Sequence, residues 1–97
     1  MMEISGHLQG VLENLPQKPG CYIMKNSKGA IIYVGKANNL RNRVRSYFHS
    51  SGDASAKTIK LVKSIADIDW IVVGSELEAL ILEMNLIKKH RPQFNVR

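Results

Sequence analysis

The stretch "YVGKANNLRNR", Tyr33 to Arg43, brings a phenol, an ammonium and two guanidinium groups into eleven residues. These groups suit a phosphate: arginine offers its oxygens a planar fork, lysine a point charge. Arg43 and Tyr47 lie one helical turn apart and share a face. Tyr22 and Tyr33 stand in two β-rich runs, and pairing of those runs can bring them together. Glu83 lies in "ALILEMNLI", where Asn85 is the only other polar residue. An ionised carboxylate on a helix apolar on most sides is costly unless something pairs with it. One use is a salt bridge to a neighbouring Arg or Lys. The other is a cleft carboxylate, catalytic or holding a hard cation such as Mg²⁺, which often takes one or two carboxylates plus water and substrate phosphate. Taken singly, Tyr47 reads as core, Tyr33 as a half-buried strand residue and Arg43 as a solvated charge. They point to a site only as a set.

Local sequence predicts the elements that must position these residues. Leu8, Val11, Leu12 and Leu15 recur at helical spacing, which predicts a helix over 6–15 that Pro16 ends. "CYIM" and "AIIYVG" are strand-like, and "NSKG" between them predicts a hairpin, with Gly35 closing the second strand. Asn38 or Asn39 can cap the next helix, whose apolar stripe is Leu40, Val44, Tyr47 and Phe48; Arg41 and Arg45 share another face. "HSSGDASA" reads as a polar loop. A helix follows with Lys57, Lys60 and Lys63 outward and Ile59, Val62, Ile65 and Ala66 inward. "DWIVVG", Asp69 to Gly74, predicts a third strand. "SELE" matches a capping box for a last helix reaching about His90, with Pro92 beyond it. Leu77, Leu80, Ile81, Met84 and Ile87 are its expected core stripe. The pattern is an α+β domain, a small sheet with helices packed on it.

Composition narrows the class. Ninety-seven residues make one domain, and 44% apolar content is enough for a core. No apolar run approaches a membrane span, and the first residues lack the charge and hydropathy pattern of a signal peptide. Cys21 is the single cysteine, which fits a reducing cytoplasm, and its apolar surroundings make it a small core residue. Fourteen Lys and Arg against eight Asp and Glu give +6 and a pI near 9.7, a balance that favours polyanionic partners, nucleic acid foremost.

Gly20-Cys21-Tyr22, followed eleven residues after Tyr22 by Tyr33-Val34-Gly35, resembles the signature of the GIY-YIG nucleases. The longer runs "IIYVGKANNLRNRVRSYF" and "LEALILEMNLIKKHRPQFNV" resemble the amino-terminal nuclease domain of the UvrC branch of that family. The resemblance covers roughly residues 8–97. Cys21 and Val34 depart from the nominal letters but are compatible with strands. The fold this implies is a three-stranded antiparallel sheet flanked by helices. The implied activity is metal-dependent hydrolysis of a DNA phosphodiester, the 3′ incision near a lesion in nucleotide excision repair. Glu83 would hold one divalent cation, Mg²⁺ or Mn²⁺. Tyr33 would act on the attacking water as base or orienter, with Lys36, Arg43 and the cation lowering its pKa. Arg43 would stabilise charge on the phosphate. Tyr22 and Lys36 would complete the wall around the water, Tyr47 would position phosphate or side chains, and Asn95 would add a polar contact.

The implied partners are damaged duplex DNA and, in a full-length protein, UvrB. UvrC proteins are longer, so residues 1–97 are expected to be one domain excised from such a chain, monomeric when isolated. Lys36, Arg41, Arg43, Arg45, Lys57, Lys60, Lys88, Lys89 and Arg91 are the expected DNA contacts, and Lys63 lies on the same basic face. Two rivals remain. One is a stand-alone GIY-YIG nuclease, against which Lys36 and the long carboxy-terminal match argue. The other is a basic module that binds nucleic acid without cutting it and has no need of Glu83.

Overall fold

The structure, a computed structural model, describes residues 4–49 and 55–95. Helix α1 (Gly6–Asn14) starts where the Ser5 side chain accepts from the Leu8 amide. It buries Leu8 and Leu12 and stops before Pro16. Strands β1 (Gly20–Lys25) and β2 (Ile31–Ala37) form the expected hairpin. Its turn is held by Asn26, whose side-chain oxygen accepts from the amides of Lys28 and Ala30. Gly29 takes φ +81, a conformation glycine adopts without steric cost. Strand β2 runs two residues past Gly35, because Lys36 and Ala37 still pair with Cys21 and Gly20.

Helix α2 (Leu40–Phe48) is capped by Asn39, whose side chain accepts from the Asn42 amide. Leu40, Val44 and Phe48 are buried beneath it. Of the polar "HSSGDASA" segment, residues 50–54 lie outside the described residues. Helix α3 (Ala56–Ser64) starts at Ser55. Strand β3 (Asp67–Val72) begins two residues earlier than the sequence suggested and pairs antiparallel with β1. The sheet order is β2-β1-β3, giving the three-stranded antiparallel sheet of an α+β domain. One core cluster joins Leu8, Leu12, Tyr22, Met24, Val44, Leu61, Val62, Ile68 and Phe94.

Two expected helix faces are corrected. On α3, Ile59 is 41% exposed, and Leu61 is buried beside Val62 in its place. On α4 (Glu76–His90) the correction is larger. Leu77, Ile81 and Met84 are 65%, 50% and 60% exposed, and Leu80 is exposed too, while Ala79 is the buried residue. The helix is apolar nearly all round, so periodicity could not choose a face. Size chooses: alanine lets the helix backbone come close to the sheet, and the Cys21 thiol donates to the Ala79 carbonyl at 3.2 Å. Burial, and the charge of Glu83 after it, push that thiol up to about 11, as suits an inert core residue.

The α4 amino terminus has the expected cap. Ser75 accepts from the Glu78 amide, and Glu78 accepts from the amide of Gly74. At the other end Arg91 adopts the left-handed conformation, φ 44 and ψ 59, and donates its amide to Ile87. That conformation costs a non-glycine residue about 1–2 kcal/mol. The resulting bend turns the chain so that Phe94, in a short 3-10 turn over Gln93–Asn95, enters the core.

Candidate active site

The glycines of the two tripeptides have a steric reason to be there. Tyr22 pairs with Gly35 across the hairpin. A Cβ on Gly35 would fall 2.3 Å from both the Cζ and the hydroxyl of Tyr22. The missing side chain is therefore the space in which the Tyr22 phenol lies. A Cβ on Gly20 would fall 2.1 Å from the Ile71 carbonyl oxygen, so that position also needs glycine.

Lying over Gly35, Tyr22 meets the other two tyrosines of the chain. Its ring centroid is 6.2 Å from that of Tyr33 and 5.9 Å from that of Tyr47, and Tyr33 and Tyr47 are 6.4 Å apart. The hydroxyls of Tyr22 and Tyr47 share a 2.7 Å hydrogen bond. Arg43 sits on this cluster, with its guanidinium carbon 5.1 Å from the Tyr47 ring centroid and Nη2 donating to the Tyr47 hydroxyl at 3.5 Å. One turn of α2 supplies both Arg43 and Tyr47, as their spacing required.

Burial raises the pKa of all three phenols. Tyr33 is pushed up to about 12, by burial first and then by Tyr47; Arg43 pulls it down without outweighing them. Without a bound cation, desolvation outweighs Arg43 at Tyr33, because the phenol has left water. The Arg43 guanidinium is held above its ordinary value, chiefly by Tyr22.

A cavity of about 470 Å³ opens beside this cluster. Tyr33, Arg43, Tyr47 and Glu83 line it, together with Lys57, Thr58, Leu61, Ile87, Phe94 and Asn95. Glu83 follows Ala79 by one helical turn, so the contact that seats α4 on the sheet also aims the carboxylate toward β2. No described salt bridge involves Glu83. Among the described residues no group of three or more His, Cys, Asp or Glu could hold a metal ion. A lone carboxylate facing a cavity that also takes a phosphate still fits Mg²⁺, whose remaining positions water and substrate oxygens fill.

The other predicted residues have more varied positions. Asn95 lines the cavity, but its amide is engaged: Oδ1 accepts from the Val34 amide at 2.9 Å and Nδ2 donates to the Val34 carbonyl at 3.0 Å. It braces the edge of β2 between Tyr33 and Gly35. Tyr22 is 1% exposed and reaches the cavity through Tyr47. Lys36 is exposed and lines a separate depression with Ala37, Asn38, Glu76 and Ala79. Arg41 donates to the Leu15 carbonyl at 2.7 Å, tying α2 to the end of α1. Arg45 is half-buried, and Lys60 and Lys89 are exposed. Lys88 and Arg91 line a third depression, which shares Ile87 and Asn95 with the main cavity. Sequence reasoning missed Thr58 altogether, and nothing in its local sequence marks it.

A β2-β1-β3 antiparallel sheet that stacks its signature tyrosines over glycine, beside an arginine and one helix-borne carboxylate, is the GIY-YIG nuclease type of domain. The chain belongs to the UvrC-like GIY-YIG domain family, which it matches over residues 18–96. It is also similar throughout to solved structures of the GIY-YIG N-terminal endonuclease domain of UvrC from Thermotoga maritima. The magnesium-bound form of that domain is 41% identical over 96% of this chain and 100% of that one, with a TM-score of 0.83. Two point variants bound to the catalytic divalent cation, one Tyr to Phe and one Asn to Ala, are each 40% identical. They cover 97% of this chain and all of theirs, with TM-scores of 0.84. No helix among the described residues is long and apolar enough to cross a membrane.

Proposed function

We propose that this domain hydrolyses a DNA phosphodiester with one divalent cation, Mg²⁺ or Mn²⁺, held by Glu83. The observation that carries the reading is one cavity lined by Tyr33, Tyr47, Arg43 and Glu83. When bound, the cation supplies charge neutralisation and a more acidic water. The side chains do the rest. Arg43, fixed against Tyr47, offers its fork to the phosphate and stabilises the charge that grows there. Tyr33, beside Glu83 in the cavity, holds the attacking water by hydrogen bonding, as its base or its orienter; burial raises its pKa in the metal-free domain, and a cation held by Glu83 would oppose that rise. Tyr22 holds the Tyr47 hydroxyl, and through it the position of Arg43. Asn95 keeps the β2 edge in register beneath Tyr33. Lys36, outside the cavity, and the basic residues Arg45, Lys57, Lys60, Lys88, Lys89 and Arg91 attract the strand electrostatically.

The relatives support this reading. Tyrosine and asparagine variants of the T. maritima domain still hold a divalent cation, and all three tyrosines of this chain stand in one cluster. By analogy with the UvrC branch, the cut is the 3′ incision near a lesion, on DNA presented by UvrB. With one small basic surface, the domain itself binds DNA weakly and without sequence preference. A module that binds without cutting is not favoured, because relatives at 40% identity carry a catalytic cation.

The test is a Mn²⁺ titration followed by paramagnetic broadening of amide signals, in wild type and in Glu83→Gln. Broadening centred on Glu83 that reaches Tyr33, and is lost in the variant, supports the assignment. Broadening that survives Glu83→Gln removes it.

A further inference from the structure

Helix α4 seats Ala79 on the sheet and turns an apolar stripe outward. Leu77, Leu80, Ile81 and Met84 are all exposed and follow one another at helical spacing. Ile71 of β3 is exposed too. It pairs with Cys21, whose thiol meets the Ala79 carbonyl, so it stands on the α4 face of the sheet. Single exposed hydrophobic residues are ordinary on a protein surface, but a run of neighbours along one helix face marks a place of association.

Charge says what kind of partner suits this face. The chain carries +6, yet from Ser64 to Ile87 it has no lysine or arginine. Asp69, Glu76 and Glu78 are exposed within that stretch. The face therefore offers nothing to a nucleic-acid phosphate and suits a protein. The same helix supplies a matching surface. Its first turn is acidic, with Glu76 and Glu78, and its last turn is basic, with Lys88 and Lys89. Lys88 follows Met84 by four positions and prolongs the stripe. A second α4 laid antiparallel on the first brings Ile81 beside Met84 of the other copy. It also brings Lys88 beside the other Leu77, between Glu76 and Glu78. Two-fold symmetry makes each of these contacts twice, and the helix dipoles oppose one another.

We propose that the outer face of α4 pairs with the same face of a second copy of this chain, antiparallel and two-fold symmetric. The apolar stripe supplies the affinity and the charged ends set the direction. A parallel pair would place Glu76 against Glu76 and Lys88 against Lys88, and like charges facing each other suppress it. The helix of 15 residues spans only about 22 Å, so the contact is smaller than a standard interface and the dimer is a weak, reversible one. The monomer expected from the sequence is its dilute state. Glu83 is not part of the stripe, so pairing leaves the carboxylate to the cavity.

The experiment is sedimentation velocity on the chain with no nucleic acid present, over a concentration series reaching about 1 mM, high enough for a weak contact. Wild type is expected to pass from monomer to dimer. Ile81→Ser is expected to stay monomeric. Lys88→Glu gathers like charges at both ends and is expected to weaken the dimer at least about tenfold. Glu76→Lys, which spares the Glu78 cap, weakens it as well. Lys88→Glu and Glu76→Lys mixed in equal amounts face opposite charges at both ends, so the mixture is expected to dimerise at concentrations where neither does alone. Thermal melts in dilute solution check that each variant is folded. A wild type that is monomeric throughout overturns the proposal and leaves the stripe to a different protein. A dimer that Ile81→Ser and Lys88→Glu do not alter overturns it also, because it is then built on another face. A wild type that dimerises beside a charge-variant mixture that does not overturns the antiparallel arrangement.

Discussion

Gly35→Ala tests whether the signature glycine exists to admit the Tyr22 ring. The new methyl group would lie 2.3 Å from two atoms of Tyr22 and 2.8 Å from a third, where ordinary contact begins at 3.4 Å. The ring must retreat by roughly 1 Å in a core packed near crystal density. It has nowhere to go: Tyr22 is 1% exposed, and its hydroxyl is held by Tyr47. Overpacking of this kind costs about 1–3 kcal/mol. Losing the Tyr22–Tyr47 hydrogen bond adds about 1 kcal/mol. Against this, alanine reduces the freedom of the unfolded chain, a gain of about 0.4–1 kcal/mol. The net loss is about 2 kcal/mol, which lowers the melting temperature by roughly 8–16 °C in a domain of this size. Urea unfolding followed by the fluorescence of Trp70, the only tryptophan and the β3 partner of Tyr22, measures it. The decisive control is a double-mutant cycle with Tyr22→Leu, which removes all three colliding atoms. In that background Gly35→Ala should be neutral or slightly stabilising. Costs that add to within about 0.5 kcal/mol would show that the collision is not what Gly35 avoids.

Two further outcomes follow from the same geometry. Asn95→Ala removes both hydrogen bonds to Val34 and is expected to destabilise the domain by about 1–3 kcal/mol while leaving the Mn²⁺ site at Glu83 in place; amide exchange at Val34 should quicken. Leu77→Ser and Met84→Ser, on the exposed face of α4, are each expected to change stability by no more than about 0.5 kcal/mol in the same urea assay. A loss of several kcal/mol there would mean that α4 packs by the stripe its periodicity suggested.

What could be read in the sequence and what could not divide along a physical line. The hairpin was legible because its determinants are local: Asn26 and Gly29 form the turn, and that turn brings Tyr22 and Tyr33 into adjacent strands. The Arg43–Tyr47 pair was legible because helical spacing alone puts them on one face. The orientation of α4 was not. Its apolar residues surround the helix, and the choice was made by a small residue, Ala79, against a cysteine nearly sixty positions away in the chain. Glu83 stood out in the sequence as a carboxylate on a helix apolar on most sides, beside a stripe expected to be core. In the structure the carboxylate is half-buried at a cavity edge, and the apolar stripe beside it is the exposed part. Tyr33 shows a related limit. Counting nearby cations predicts a lowered pKa, but desolvation depends on everything packed around the phenol, and in the metal-free domain it outweighs Arg43. Lys57 shows the same limit from the solvent side. Periodicity gave it to a broad basic face with Lys60 and Lys63, and only the packing of α3 separates it from them by turning its first residues into the cavity. Chemistry carried by one turn or one helix face can be read before folding, whereas roles that depend on which surfaces meet become visible only once they have met.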